Sequence, residues 1–223
     1  MRVLRAPATV LVALVLTSCA AVTPPAATSS SPTTSAVPAP TPSSTASPTP
    51  AAIATLSLSL GHLDAADASG AVAGTARLDD GDAVVQLLSR TLGAPVSQEH
   101  HTDPWDVTTT KWDGVIVSVY ADSAKARITF LAAASAGVSL RSAIGVSVGM
   151  TKEATIAAGA TPTASFTDTS GAVHQILVSE STQQPGTNSL VTPGDVGSVY
   201  VEHESVDGTV TRIAAPGDDF SDL

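Results

Sequence analysis

A Gly-Val-Ser-Val-Gly step places Ser147 in the pattern G-x-S-x-G. In that pattern a serine on a sharp turn between a strand and a helix becomes an exposed nucleophile for acyl transfer. An acid and a histidine follow in the order that such a triad needs, namely Asp168 or Asp195 and then His174 or His203. A small envelope serine hydrolase using Ser147 is therefore one functional alternative.

The context of Ser147 favours a different interpretation. Only about 90 residues of domain precede it, and they are typical of one helix and an antiparallel meander, whereas a nucleophile elbow follows several βα units. Three fixed positions also arise easily by chance in a chain that is rich in glycine and serine. We therefore expect no catalysis.

The segment 98–106 could bind a metal, because it contains two histidines and three carboxylates within nine residues. Histidine together with a carboxylate suits zinc or copper. His100 and His101 are adjacent, however, and adjacent side chains on a strand point to opposite faces, so both reach one ion only if the backbone turns. A polar loop between strands is the simpler interpretation, and we expect no metal and no cofactor. A metal-binding protein using His100 and His101 stays the second alternative.

Cys19 is the only cysteine, and its surroundings explain why it is alone. Arg2 and Arg5 precede an apolar run over 6–16 that is too short to span a bilayer but suits a secretory signal. Leu16-Thr17-Ser18-Cys19 resembles the bacterial lipobox, in which the cysteine receives a diacylglyceryl group. We predict a signal peptide over 1–18, a lipidated (diacylglyceryl and palmitate-type) Cys19, and a lipoprotein anchored on the extracytoplasmic face of the cell membrane. Two acyl chains make such an anchor stable.

The segment 19–52 is predicted to be a disordered linker. Of the 33 residues from 20 to 52, 31 are Pro, Ala, Ser or Thr, which cannot bury enough apolar area to fold. The remaining chain suffices for one domain or two small halves. A formal net charge of −10 disfavours nucleic acid as a partner.

The domain shows an internal repeat, with halves at 53–136 and 137–223. Residues 115–133 can be laid over 197–215 at a constant offset of 82, and each copy is typical of a β-hairpin. A helical segment precedes each copy, at 82–95 and at 151–162, with two further strands between helix and hairpin. The prediction is an α+β fold: a tandem repeat of a short helical segment plus a four-stranded antiparallel sheet, with helices on one face. The acidic segment 216–223 is predicted to be a frayed tail.

The phrase Gly145-Val146-Ser147-Val148-Gly149-Met150-Thr151, followed by a short helix, resembles the repeat unit of the β-lactamase-inhibitor-protein-like and outer-membrane-assembly-lipoprotein-like families. That resemblance implies a short helix paired with a small antiparallel sheet, in tandem, in a secreted or lipid-anchored protein. It further implies a binding or scaffolding module without an active site.

Period-two alternation predicts the face that binds. If Val117, Val119, Val199 and Val201 point toward the helices, the opposite face displays to solvent the residues Ile116, Ser118, Tyr120, Tyr200 and Glu202. Tyrosine is a frequent contributor to interface energy. The sequence therefore predicts a lipid-anchored protein-binding or accessory module with an envelope protein as its partner.

Overall fold

The computed structural model describes residues 52–103 and 105–220. The predicted signal peptide, Cys19 and most of the predicted linker lie outside the described residues. No helix among the described residues is long and apolar enough to cross a membrane. The described chain is mostly strand and forms two sheets with two short helices.

The elements follow one another along the chain as β1 (Ile53–Leu58), β2 (His62–Asp67), β3 (Val72–Arg77), α1 (Gly81–Leu92), β4 (Ser97–His101), β5 (Val107–Trp112), β6 (Val115–Tyr120), β7 (Ala126–Phe130), β8 (Ala134–Ser135), β9 (Val138–Ser142), α2 (Lys152–Ala157), β10 (Thr161–Thr167), β11 (Val173–Gln183), β12 (Ser198–Val206) and β13 (Thr209–Asp218).

The large sheet has eight strands in the order β10-β11-β12-β13-β7-β6-β5-β4, and all neighbours are antiparallel. Each group of four strands that follows a helix forms one half of this sheet. The two halves join where β13 pairs with β7, with Ile213 opposite Phe130. Both helices and all eight of these strands lie close to where the sequence predicts them.

A second sheet of five strands, in the order β3-β2-β1-β9-β8, is absent from the sequence prediction. Residues 53–77 form three of its strands as a meander. The strand β1 then pairs in parallel with β9, with Leu56 opposite Leu140. This pairing crosses the predicted boundary between 136 and 137, so both predicted halves contribute to the small sheet.

One hydrophobic core lies between the two sheets. The large sheet directs one face, here called the inner face, into this core through Val115, Val117, Ile128, Phe130, Val201, Ile213 and Ala215. The small sheet contributes Leu56, Leu58 and Leu140 to the same core, and α1 packs against β2, β3 and β6. The inner face is therefore covered by a sheet as well as by a helix, which corrects the expectation that helices alone cover it.

The helices begin as the sequence predicts. The Asp80 side chain accepts a hydrogen bond from the Ala83 N–H at the start of α1, and Thr151 accepts one from the Ala154 N–H at the start of α2. Such caps satisfy backbone donors that have no partner inside the helix. The buried residues of α1 include Val84, Leu87 and Leu88, whose spacing places them on one face of the helix.

The predicted tandem repeat is not reproduced by the strand pairing. The offset of 82 equates the pair Val117–Ile128, which is opposed in β6 and β7, with Val199 and Val210. In β12 and β13, however, Val199 lies opposite Asp218, and Val210 lies opposite Ser205. The second hairpin is longer and turns later, so the constant offset does not match equivalent positions.

The prediction of a frayed tail over 216–223 is wrong for residues 216–220. The strand β13 extends to Asp218, and Phe220 forms a β-bridge with Ser189 in the loop between β11 and β12. The last three residues lie outside the described part of the chain.

Candidate functional site

The predicted interaction residues lie on the outer face of the large sheet, opposite the inner face. Ile116, Ser118 and Tyr120 alternate along β6 with the buried Val115 and Val117 and are each partly exposed. The period of two along β6 therefore assigned the faces of this strand correctly.

Tyr200 and Glu202 are not displayed to solvent, and that part of the prediction is wrong. Their exposed fractions are 8% and 7%. The Tyr200 hydroxyl donates to the backbone oxygen of Asp218 at 2.7 Å, and burial raises the pKa of Tyr200 to about 12. The Tyr200 ring lies 3.0 Å from the position a Cβ would take at Gly217. The neighbouring strand and its polar groups therefore occupy the surface that Tyr200 was expected to offer.

Glu202 on β12 lies between two arginines, one on the neighbouring strand β13 and one on β7, the next strand of the sheet. Arg212 on β13 donates to one oxygen of Glu202 in a very short hydrogen bond, and a guanidinium nitrogen of Arg127 on β7 lies 3.7 Å from the other oxygen. Such pairing offsets the cost of removing a carboxylate from water. Glu202 thus organises the outer face rather than offering a free charge.

These contacts belong to a row of charged side chains across the outer face, called here the charged row. Its members form consecutive ion pairs in the order Asp168, His174, Glu204, Arg212, Glu202 and Arg127. The row starts at the β10–β11 turn and ends on β7. The three carboxylates alternate with the basic groups, so every contact along the row is attractive.

His174 uses both ring nitrogens within the charged row. Its Nδ1 lies 2.8 Å from Glu204 Oε1 and its Nε2 lies 3.3 Å from Asp168 Oδ2, while the ring stacks on Phe166 with centroids 4.7 Å apart. Only the doubly protonated ring donates to two carboxylates at once. The hydrogen bond with Glu204, followed by the one with Asp168, raises the pKa of His174 above its ordinary value.

The charged row ends at a groove of about 500 Å³, called here the Trp105 groove. Its lining combines two aromatic rings, two cations and two carboxylates, contributed by Trp105, Tyr120, Asp122, Ser123, Lys125, Ala126, Arg127, Pro216 and Asp218. The β6–β7 turn forms one side of it. That turn is fixed by backbone hydrogen bonds from Gly81 N–H to Ala124 O and from Ala126 N–H to Leu78 O, so the groove has an ordered wall.

Trp105 contributes a large, mostly exposed aromatic ring to this groove. Its side chain is 59% exposed, whereas Trp112 is 5% exposed and donates its Nε1–H to the Gly93 backbone oxygen at 2.9 Å. A large exposed aromatic ring beside a groove is typical of a contact surface, because burying it on binding releases much apolar area.

Ser147 does not occupy a nucleophile elbow. It lies in a turn in which the Met150 N–H donates to the Ser147 backbone oxygen at 3.2 Å, and α2 begins only at Lys152. Within the described chain, none of the candidate acids or histidines forms a hydrogen bond with Ser147. His174 instead bonds Glu204 and Asp168.

His100 and His101 do not converge on one point. His100 contacts Thr108 Oγ1 at 3.1 Å and Asp106 at 3.5 Å, and His101 lies 3.6 Å from Glu99. Both histidines are on the regular edge strand β4, where the adjacent side chains take opposite faces. Among the residues that the structure describes, no group of three or more His, Cys, Asp or Glu could hold a metal ion.

Comparisons of this chain with protein-family models, with curated proteins and with solved structures found no match.

The sequence identified Tyr120 but not the rest of the Trp105 groove. Arg127 and Lys125 gave no sequence signal, because each is an isolated cation beside a turn. The one available signal was Trp105, a large apolar residue inside the polar segment 98–106. Such a residue is anomalous in a solvated loop and points to a surface contact.

Proposed function

We propose that this protein is a lipid-anchored extracytoplasmic lipoprotein that binds an envelope protein through the Trp105 groove. The single observation that carries the binding role is the exposed Trp105 ring beside an ordered groove lined by Tyr120 and two cations. Aromatic and arginine side chains contribute most of the energy at many protein interfaces. The lipobox-like sequence before Cys19 supports the anchor, and the proline-rich segment after it supports a tether.

We also propose that the fold is a tandem repeat of a short helical segment plus a four-stranded antiparallel sheet. The strand order places four strands after each helix in one sheet, which supports an origin of the two halves from one repeated unit, in spite of the unequal hairpins. The resemblance to the β-lactamase-inhibitor-protein-like and outer-membrane-assembly-lipoprotein-like domains also supports two halves built from one repeated unit. Both families are binding or scaffolding modules, in keeping with an accessory role.

Cys19→Ala is expected to release the protein from the membrane. Without the thiol no diacylglyceryl chain can be attached, and the anchor, at roughly 0.8 kcal/mol per buried CH₂, is lost entirely. Cell fractionation should find the variant in the medium, or uncleaved if processing requires the lipid. Ser18→Ala keeps a small residue before the cysteine and serves as the control. Mass spectrometry that finds an unmodified thiol at Cys19 in membrane-extracted protein would contradict the anchor.

A photo-crosslinking residue at Ser123 is expected to capture a protein in intact cells. Ser123 is exposed and lines the Trp105 groove. The matched control is the same residue at Ser139, which is exposed on β9 of the small sheet. A discrete adduct from position 123 that is absent from position 139 supports the groove as the binding surface. Adducts of equal yield at both positions, or none at position 123, would show that the groove contacts no protein.

A further inference from the structure

Arg127 lines the Trp105 groove with unused hydrogen-bond donors. Its side chain is 36% exposed, and within the described chain its closest charged contact is Glu202 Oε2, at 3.7 Å. That distance is too long for a hydrogen bond. The guanidinium group carries five N–H donors in a planar fork, and Arg212 already donates to Glu202 from the other side. Arg127 is therefore held in place electrostatically, while its fork stays available to a ligand.

The location of this arginine is unusual for so acidic a chain. The sequence has 10 Lys and Arg against 20 Asp and Glu, yet Lys125 and Arg127 line the same groove. Lys125 forms no ion pair with any other described residue. A pair of cations in a concave surface raises the local concentration of anions. The end of the groove that Arg127 and Lys125 line therefore suits a negatively charged group on its ligand.

The other lining residues restrict the kind of anion. Trp105, Tyr120 and Pro216 provide apolar surface close to the cations, so the ligand joins its charge to an apolar body. Asp122 and Asp218 line the same groove and oppose a doubly charged group such as phosphate. The oxygens of Asp122 suit a ligand that also carries N–H donors. A volume of about 500 Å³ lies within the usual range for sites that hold a small ligand.

We infer that the Trp105 groove binds the C-terminal residue of a peptide, with the terminal carboxylate on the Arg127 fork and the terminal side chain against Trp105 and Tyr120. A carboxylate matches the guanidinium fork in a bidentate arrangement, which is among the strongest hydrogen-bonded pairs. The peptide amide N–H groups face Asp122. This inference rests on the proposed function, because it names the chemistry of the partner at the same surface.

The test compares two peptides that differ only at the terminus. Acetyl-Ala-Ala-Phe as the free acid and the same peptide as the C-terminal amide are titrated into the full chain in mild detergent. Trp105 is the reporter, because Trp112 is buried. The acid is expected to change the tryptophan fluorescence saturably and to bind about tenfold or more tightly than the amide, because only the acid forms the charged fork. Equal binding of the two peptides, or no saturable binding, overturns the inference.

Three variants locate the effect. Arg127→Gln is expected to weaken the binding of the free-acid peptide by about tenfold, so that acid and amide bind with equal affinity. Arg127→Lys keeps the positive charge and is expected to lose only part of the preference for the acid over the amide. Arg141→Gln, at an exposed position on β9, should change nothing. Melting temperatures verify that each variant folds, and the acid–amide comparison on the native chain stands without them. If position 123 captures a protein but acid and amide bind alike, the inference fails and the proposed function does not.

Discussion

Replacing Phe130 by alanine is expected to lower the free energy of unfolding by about 3–5 kcal/mol, the usual range for removing a fully buried phenylalanine. Phe130 is fully buried and lies opposite Ile213 on β13 and opposite Val115 on β6. It therefore stands at the junction of the two halves of the large sheet and inside the core shared with the small sheet. Chemical denaturation followed by circular dichroism measures the loss.

Phe166→Ala is the matched control, because the substitution is identical and only the environment differs. The Phe166 ring is 51% exposed and its contact is the stack on His174 at 4.7 Å. An aromatic contact of this kind is worth about 0.5–1.5 kcal/mol, so the loss should stay well below that of Phe130→Ala. Losses of equal size at the two positions would show that Phe130 is not the central residue of the core.

The sequence predicted the elements that local patterns determine. The apolar spacing of Val84, Leu87 and Leu88 predicts a helical segment over 82–95, and α1 spans Gly81–Leu92. The hairpin between β10 and β11 turns at Asp168, whose side chain accepts hydrogen bonds from the Ser170 and Ala172 N–H groups. Both signals involve residues that are close together along the chain, so they can be recognised in the sequence without knowledge of the tertiary structure.

The sequence could not predict the small sheet, because its pairing is not local. The segment 55–60 alternates between polar residues and leucine, which is typical of a strand, but β1 finds its partner β9 more than 80 residues later. Parallel pairing over that distance leaves no turn signal in the sequence. The repeat hypothesis also predicts no strand in this segment, since the second half contains no equivalent of it.

The candidate site was only partly predictable for a related reason. Period two placed Tyr120 on the outer face correctly, but exposure depends on which neighbours lie beside a residue across the sheet. The register of β12, β13 and β7 brings Glu202 next to Arg212 and Arg127. No sequence pattern predicts that register. The same register directs Arg127 into the Trp105 groove, and no local sequence pattern indicates that position.

His203 is a buried histidine whose ring forms no ion pair with any described residue. It is fully buried on the inner face of β12, opposite Leu177 on β11 and Ile213 on β13. Within the part of the chain that the structure describes, neither ring nitrogen has a hydrogen-bond partner of normal geometry. Burial lowers the pKa of His203 to about 4, and the backbone of Leu177 offsets this only in part. The folded protein therefore keeps this ring neutral under conditions that protonate it in the unfolded chain, where the pKa is about 6.5.

The stability of the protein is expected to fall as the pH is lowered from about 6.5 toward 4. In this window the unfolded state binds a proton at His203 and the folded state does not, so each pH unit costs up to about 1.4 kcal/mol and the whole window on the order of 3 kcal/mol. His203→Leu removes the group and fills a similar volume. The variant should match the native protein within about 1 kcal/mol at pH 7 and exceed it by about 2 kcal/mol at pH 4.5.

His174→Leu separates this effect from that of the other perturbed histidine. The raised pKa of His174 has the opposite sign: its ion pairs with Glu204 and Asp168 stabilise the fold fully below about pH 6.5 and are lost as the pH rises through the folded-state pKa. Denaturation curves of the His174 variant should therefore lose the slope above pH 6.5 and keep the slope between 4 and 6.5. If His203→Leu leaves the acid slope unchanged, the ring of His203 is protonated in the folded state and reaches a partner inside the core. The two histidines lie on opposite faces of one sheet, so a stability maximum near pH 6.5 would follow from the burial of one and the ion pairs of the other.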